Sequence, residues 1–194
     1  IDRGLQNRRV IEIVRSMTET GQAVALMGNH EFNAICYHTR SSSGNDYLRP
    51  HISKNVNQHE SFLREYQTDS AELKETISWF RNLPIWWEDP DVRAIHACWY
   101  EPAREFLLDN RLPDPQGQII PDNWQVFAKE QDSDAPMNPF RALEILIKGP
   151  EMFLGNEAYT DNHGHKRKYG RFKWWNLEPK NLGGLVALGK DGSE

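Results

Sequence analysis

The stretch AVALMGNHEFN, residues 23–33, decides how this chain is read. Ala23 to Met27 is a short continuous apolar run, the pattern of a strand buried on both faces. It passes directly into Gly28, Asn29, His30 and Glu31. Such residues end a strand poorly for packing and well for chemistry, because open α/β sheets bind ligands beyond the carboxyl ends of their strands. Phe32 to Tyr37 then starts a helix. Upstream, Val10, Ile13, Val14 and Met17 recur at i, i+3, i+4 and i+7, which predicts a helix over 5–20 with one apolar stripe. Gly21 follows where a left-handed C-terminal cap belongs. Loop, helix, buried strand, loop and helix form the second half of a β-α-β unit whose first strand is expected before Ile1.

The chain has 194 residues, enough for one substantial core, and a single domain over 1–194 is expected. A net charge of −5 argues against a long nucleic acid as partner, since phosphate backbones need a surplus of Lys and Arg on one face; a small phosphorylated ligand needs only local cations. No apolar run approaches a membrane span, and the opening IDRGLQNRR lacks the apolar core of a secretory signal. Two cysteines, Cys36 and Cys98, are too few for a disulfide framework, so a cytoplasmic location is expected. The tryptophan pairs Trp86-Trp87 and Trp174-Trp175 are expected to pack in the core and at sheet edges.

Residues 38–57 are polar and irregular and predict an excursion over the surface. Helices are expected over 58–66, from near Asp69 to Pro84 with Leu73, Ile77 and Phe80 inward, and near 102–108 and 139–147. Ile85–Glu88 and Val92–Ala97 read as strands joined by Asp89-Pro90, 156–175 as a hairpin with a polar tip, and the end as a strand before an Asp-Gly turn. Repeats and low-complexity tracts are lacking.

The Asn29 amide oxygen is a hard ligand suited to Mn, Mg or Fe, and a histidine beside it at a helix start can act as a proton donor. The same residues can be read as an Asn N-cap with His and Glu in the first turn. Asp2-Arg3-Gly4 precedes the helix leading to this loop, and His96 ends the strand-like VRAIHA. These motifs, in this order, resemble the calcineurin-like metallophosphoesterase superfamily, which includes protein Ser/Thr phosphatases and symmetrical diadenosine tetraphosphatases. Its pattern is DxH, GDxxDRG, GNHE, a His after a strand, and a later GH. LRPH with KN and QH (48–59), HACW (96–99) and KGPE (148–151) look like a bacterial branch of it.

The resemblance implies a two-sheet β-sandwich flanked by helices, and hydrolysis of a phosphate monoester or phosphoanhydride through two divalent ions and a bridging hydroxide. Manganese leads, with Fe, Zn or Mg as alternatives. It implies that Asn29 and His96 ligate the second metal. His30 would donate a proton to the leaving oxygen, oriented and kept cationic by Asp2. Arg3 would hold a phosphate oxygen, and Glu31 would support the loop. The substrate would be a small phosphorylated molecule or a phosphoprotein, or a dinucleoside polyphosphate; a noncatalytic phosphate-binding remnant is the rival from another class. DxH and the first Asp of GDxxDRG have no counterpart, and Gly164-His165 lies in a polar hairpin tip rather than after an apolar strand. Residues are therefore expected to be missing before Ile1 and between Trp175 and Leu185. Arg49, His51 and His59 either line the pocket from the excursion or belong to a solvated loop. The basic run Lys166, Arg167, Lys168, Arg171 and Lys173 either steers an anion or is a solvated hairpin. Cys98 beside His96 reads as a core thiol rather than half of a zinc pair.

Overall fold

The computed structural model describes residues 1–42, 44–127, 137–155, 159–160, 166–176 and 178–187. It is a mixed α/β chain in the order α1 (Asn7–Glu19), α2 (Asn29–Tyr37), α3 (Ser53–Glu65), α4 (Ala71–Arg81), β1 (Trp86–Glu88), β2 (Arg93–Ile95), α5 (Glu101–Asp109), a 3-10 turn (Pro121–Phe127), α6 (Pro139–Lys148), β3 (Glu151–Phe153), β4 (Tyr159–Thr160), β5 (Lys166–Arg167), β6 (Tyr169–Phe172), α7 (Leu182–Leu185) and β7 (Val186–Ala187). The sheets among the described residues are small and antiparallel: β1-β2, β3-β6-β7 and β4-β5.

Helix boundaries follow the local chemistry. Gly21 takes φ +69° just past α1, as a left-handed cap requires. Ser70, not Asp69, caps α4, accepting the Leu73 N–H at 3.1 Å, and Leu73, Ile77 and Phe80 are buried as their spacing predicts. Asp89 accepts the N–H groups of Asp91 and Val92 at 2.8 and 2.7 Å, which closes the β1-β2 turn. α3 begins at Ser53, so the expected excursion is shorter than 38–57 and ends in a helix. The core cluster draws on α1 through α6, with Phe62, Ile85, Leu107, Phe127, Leu143 and Leu146 shut off from solvent.

Two expectations fail. Ala23–Met27 is not a strand. A ladder needs a neighbour, and among the described residues the run has only the Met27 N–H bound to Pro84 O at 2.8 Å and the Ala23 N–H bound to Met17 O at 3.2 Å. The stripe on α1 is also mostly turned outward: Ile11 is buried and Val14 half-buried, while Val10, Ile13 and Met17 are exposed. Polar contacts accompany this orientation. Glu65 accepts the Asn7 side chain at 2.6 Å, Arg8 meets Glu72 at 2.8 Å, and Arg15 meets Glu75 at 2.8 Å. Among the described residues, no helix is long and apolar enough to cross a membrane.

Candidate functional site

Asp2 is the hinge of the first half of the site. Its backbone sits in the left-handed region at φ +66°, which Asp tolerates better than most residues, and its N–H donates to Asn7 Oδ1 at 2.9 Å. The carboxylate is turned inward, 3% exposed, with His30 Nδ1 and His59 Nδ1 each 3.1 Å away. Burial alone would raise its pKa; the hydrogen bonds from His30 and then His59 outweigh burial and bring it down from 3.8 to about 2. An ionised carboxylate only accepts, so both rings present Nδ1–H to it, and each keeps Nε2 for something else. For His59 that is His38 Nε2, at 3.4 Å. Burial, then the neighbouring His59 and His51, pushes His38 down to about 4, so it stays neutral near pH 7. His30 Nε2 has no hydrogen-bond partner among the described residues.

This pair sets a pH dependence. A carboxylate with a depressed folded pKa contributes stability above its unfolded pKa and loses it as pH falls through the folded value. Asp2→Asn is expected to cost about 2 kcal/mol above pH 4. The gap from the wild type should close as pH drops from 3.8 toward about 2, as followed by urea unfolding at each pH.

The second half is a cleft of about 230 Å³. Asn29, His96, Lys148, Arg171, Trp174 and Trp175 are among its lining residues. Asn29 opens α2, where the cap position is Gly28, so its amide is not spent on capping and makes no hydrogen bond among the described residues. His96 leaves the end of β2, and Ala97 and Cys98 donate to Leu146 O at 3.2 and 3.3 Å, which pins that exit onto the last turn of α6. Neither nitrogen of His96 has a hydrogen-bond partner among the described residues. Burial lowers its pKa; Glu31 opposes this, and His30, the Ile1 amino group and Arg171 reinforce it. The neutral ring is the form that ligates a metal. β6 pairs with β3 and sets Arg171 opposite Glu151, at the mouth of the cleft.

Gly28 is required by close approach. A Cβ there would lie 2.6 Å from Glu31 Oε2 and 2.9 Å from His96 Cε1. Glu31 Oε2 accepts the Gly28 N–H at 3.2 Å and Oε1 meets the Ile1 amino group at 2.9 Å, so this carboxylate braces the loop. Gly28→Ala is expected to displace the His96 ring and shift its Hε1 resonance in an NMR spectrum, with most other resonances unmoved.

The expected spatial arrangement is thus present in part. Asn29 and His96 share one cleft. Asp2 and His30 are bonded to each other beside it, without lining it, and Arg3 is exposed and lies outside the lining. His59 reaches Asp2, a contact across 57 residues that no local spacing announces. Arg49 instead binds Asn33 and Gln58, both at 2.7 Å, and His51 is stacked between Tyr37 and Tyr47. Within the basic run Arg171 reaches the cleft, while Lys173 donates to Gly183 O at 2.8 Å. Trp174 and Trp175 are not core residues, being 40% and 58% exposed, whereas Trp86 is buried. Cys36 and Cys98 are both buried free thiols. His163, His165 and Asp161 lie outside the described residues. Comparisons with protein-family models, curated proteins and solved structures gave no match.

Proposed function

We propose that this chain is a metal-dependent phosphoesterase, acting on a phosphate monoester or phosphoanhydride at the Asn29–His96 cleft. The observation that carries the reading is the meeting in one cleft with Arg171 of an amide and an imidazole that have no hydrogen-bond partner among the described residues, next to a histidine held by a carboxylate. The likeness of DRG, GNHE and HACW to the metallophosphoesterases supports the same reading and implies the helix-flanked two-sheet sandwich. Two buried thiols accord with a reducing, cytoplasmic setting.

An oxygen and a nitrogen donor suit a manganese-class ion, and Fe, Zn or Mg accept the same mixture. The pair fits part of one ion's coordination. For the two ions that the resemblance implies, the described residues hold no group of three or more His, Cys, Asp or Glu at metal-ligating distances. When bound, such an ion lowers the pKa of a water and orients it toward phosphorus.

The chain's own residues supply the rest. The Arg171 guanidinium makes no hydrogen bond or ion pair among the described residues and is available for phosphate oxygens, as is the exposed Arg3. Lys148 is held by Glu144 and Glu151 at 3.2 and 2.9 Å, so it lends shape more than charge. Asp2 fixes the Nδ1 side of His30, and Nε2 is left to deliver a proton to the departing oxygen. The substrate is a small phosphorylated molecule or an exposed phosphoryl group on a protein. The test is turnover of an aryl phosphate with added Mn²⁺. Hydrolysis that a chelator stops and Mn²⁺ restores supports the reading. Phosphate binding with no turnover under any of these metals would make the chain a noncatalytic phosphate binder instead.

A further inference from the structure

Exposed tryptophans need a reason, because each leaves a large apolar face in water that folding would otherwise bury. Trp174 and Trp175 lie at the cleft, edge to face, with ring centroids 5.8 Å apart and planes at 88°. The two rings pack edge to face, and a substantial part of each stays open to solvent. They follow Arg171 by three and four residues along the same exit from β6, so the uncommitted guanidinium and the open indoles belong to one wall. An anion held by Arg171 therefore has an aromatic surface beside it.

We propose that this wall makes the cleft a mononucleotide site, with the phosphate at Arg171 and the Asn29–His96 end and the base stacked on Trp174 or Trp175. The inference rests on the phosphoester reading above and names its substrate class. Stacking on an aromatic side chain accepts any nucleobase, because every base has a π-face, while the guanidinium fork matches phosphate oxygens. A cleft of about 230 Å³ has room for a phosphate beside a planar group.

The experiment compares AMP, ribose 5-phosphate and adenosine as probes of the metal-free chain, by calorimetry and by quenching of tryptophan fluorescence. AMP is expected to bind roughly 10- to 100-fold more tightly than ribose 5-phosphate, the span that stacking one base on an aromatic ring provides. AMP should quench the fluorescence, and adenosine alone should bind weakly. In the double variant W174L/W175L the preference for AMP should vanish while ribose 5-phosphate binds as before; both side chains are exposed, so a matching melting temperature serves as the folding control. Arg171→Gln should weaken AMP and ribose 5-phosphate alike. Equal affinity of the wild type for AMP and ribose 5-phosphate overturns the inference, as does an AMP preference that survives in the double variant. Both results leave the phosphoester reading intact, since that is judged by Mn²⁺-dependent turnover of an aryl phosphate. The wild-type comparison needs no variant and decides the question even if the double variant fails to fold.

Discussion

Replacing His30 by alanine is expected to lower Mn²⁺-dependent turnover of a phosphate ester by roughly 10²- to 10⁴-fold, the usual contribution of a positioned general acid. The ring has one nitrogen bound to Asp2 at 3.1 Å and the other without a hydrogen-bond partner among the described residues, and its side chain is 23% exposed, so it reaches solvent while staying anchored. A substrate whose leaving group departs without help, such as a nitrophenolate, should show the smallest loss, and an alkyl phosphate the largest, because only the alkoxide needs the proton. Asp2→Asn should reproduce part of the loss, and the double variant should be little worse than His30→Ala, since the two residues act as a unit. Equal losses for aryl and alkyl substrates would remove His30 from proton delivery. The melting temperature of the His30 variant should fall by less than that of Asp2→Asn, because Asp2 keeps its second partner, His59, at 3.1 Å.

Phe62→Ala is expected to carry the largest stability cost, about 3–5 kcal/mol. Its ring is shut off from solvent and stacked between His59 and Tyr66, with centroids 4.7 and 4.4 Å away, and Phe80 lies at 6.1 Å. Neighbours held from several elements collapse poorly into such a cavity. For a chain of this length the melting temperature should fall by about 10 °C or more. The same cavity sits directly behind His59, so the variant should also loosen the Asp2 carboxylate. Its resonances would reveal this, since the Asp2 pKa should move back up from about 2 toward 3.8 as the His59 contact weakens. A melting temperature within 2–3 °C of wild type, equivalent to about 1 kcal/mol, would mean that the pocket refills.

Local chemistry made much of this legible. The α4 face of Leu73, Ile77 and Phe80, the left-handed Gly21, the Asp89-Pro90 turn and the strand exit at His96 all depend on neighbours within one or two turns of chain. So does the meeting of GNHE with a helix start, which frees Asn29 by making Gly28 the cap. The pairing of Asp2 with His30 was suggested by the resemblance rather than by spacing, and the two side chains lie 3.1 Å apart.

What the residues determined by themselves was therefore which segments coil and where they start and stop, because periodicity, caps and turns act over a few residues. The tertiary structure decided the relations between segments. AVALM forms no ladder among the described residues, because strand character belongs to a pair of segments, not to one. α1 turns Ile11 inward and leaves Val10, Ile13 and Met17 exposed, because which side of a helix is buried depends on the elements packed against it. His59 joins Asp2 across 57 residues, and Trp174 and Trp175 open onto the cleft instead of entering the core, because each position is set by packing between elements far apart in the chain.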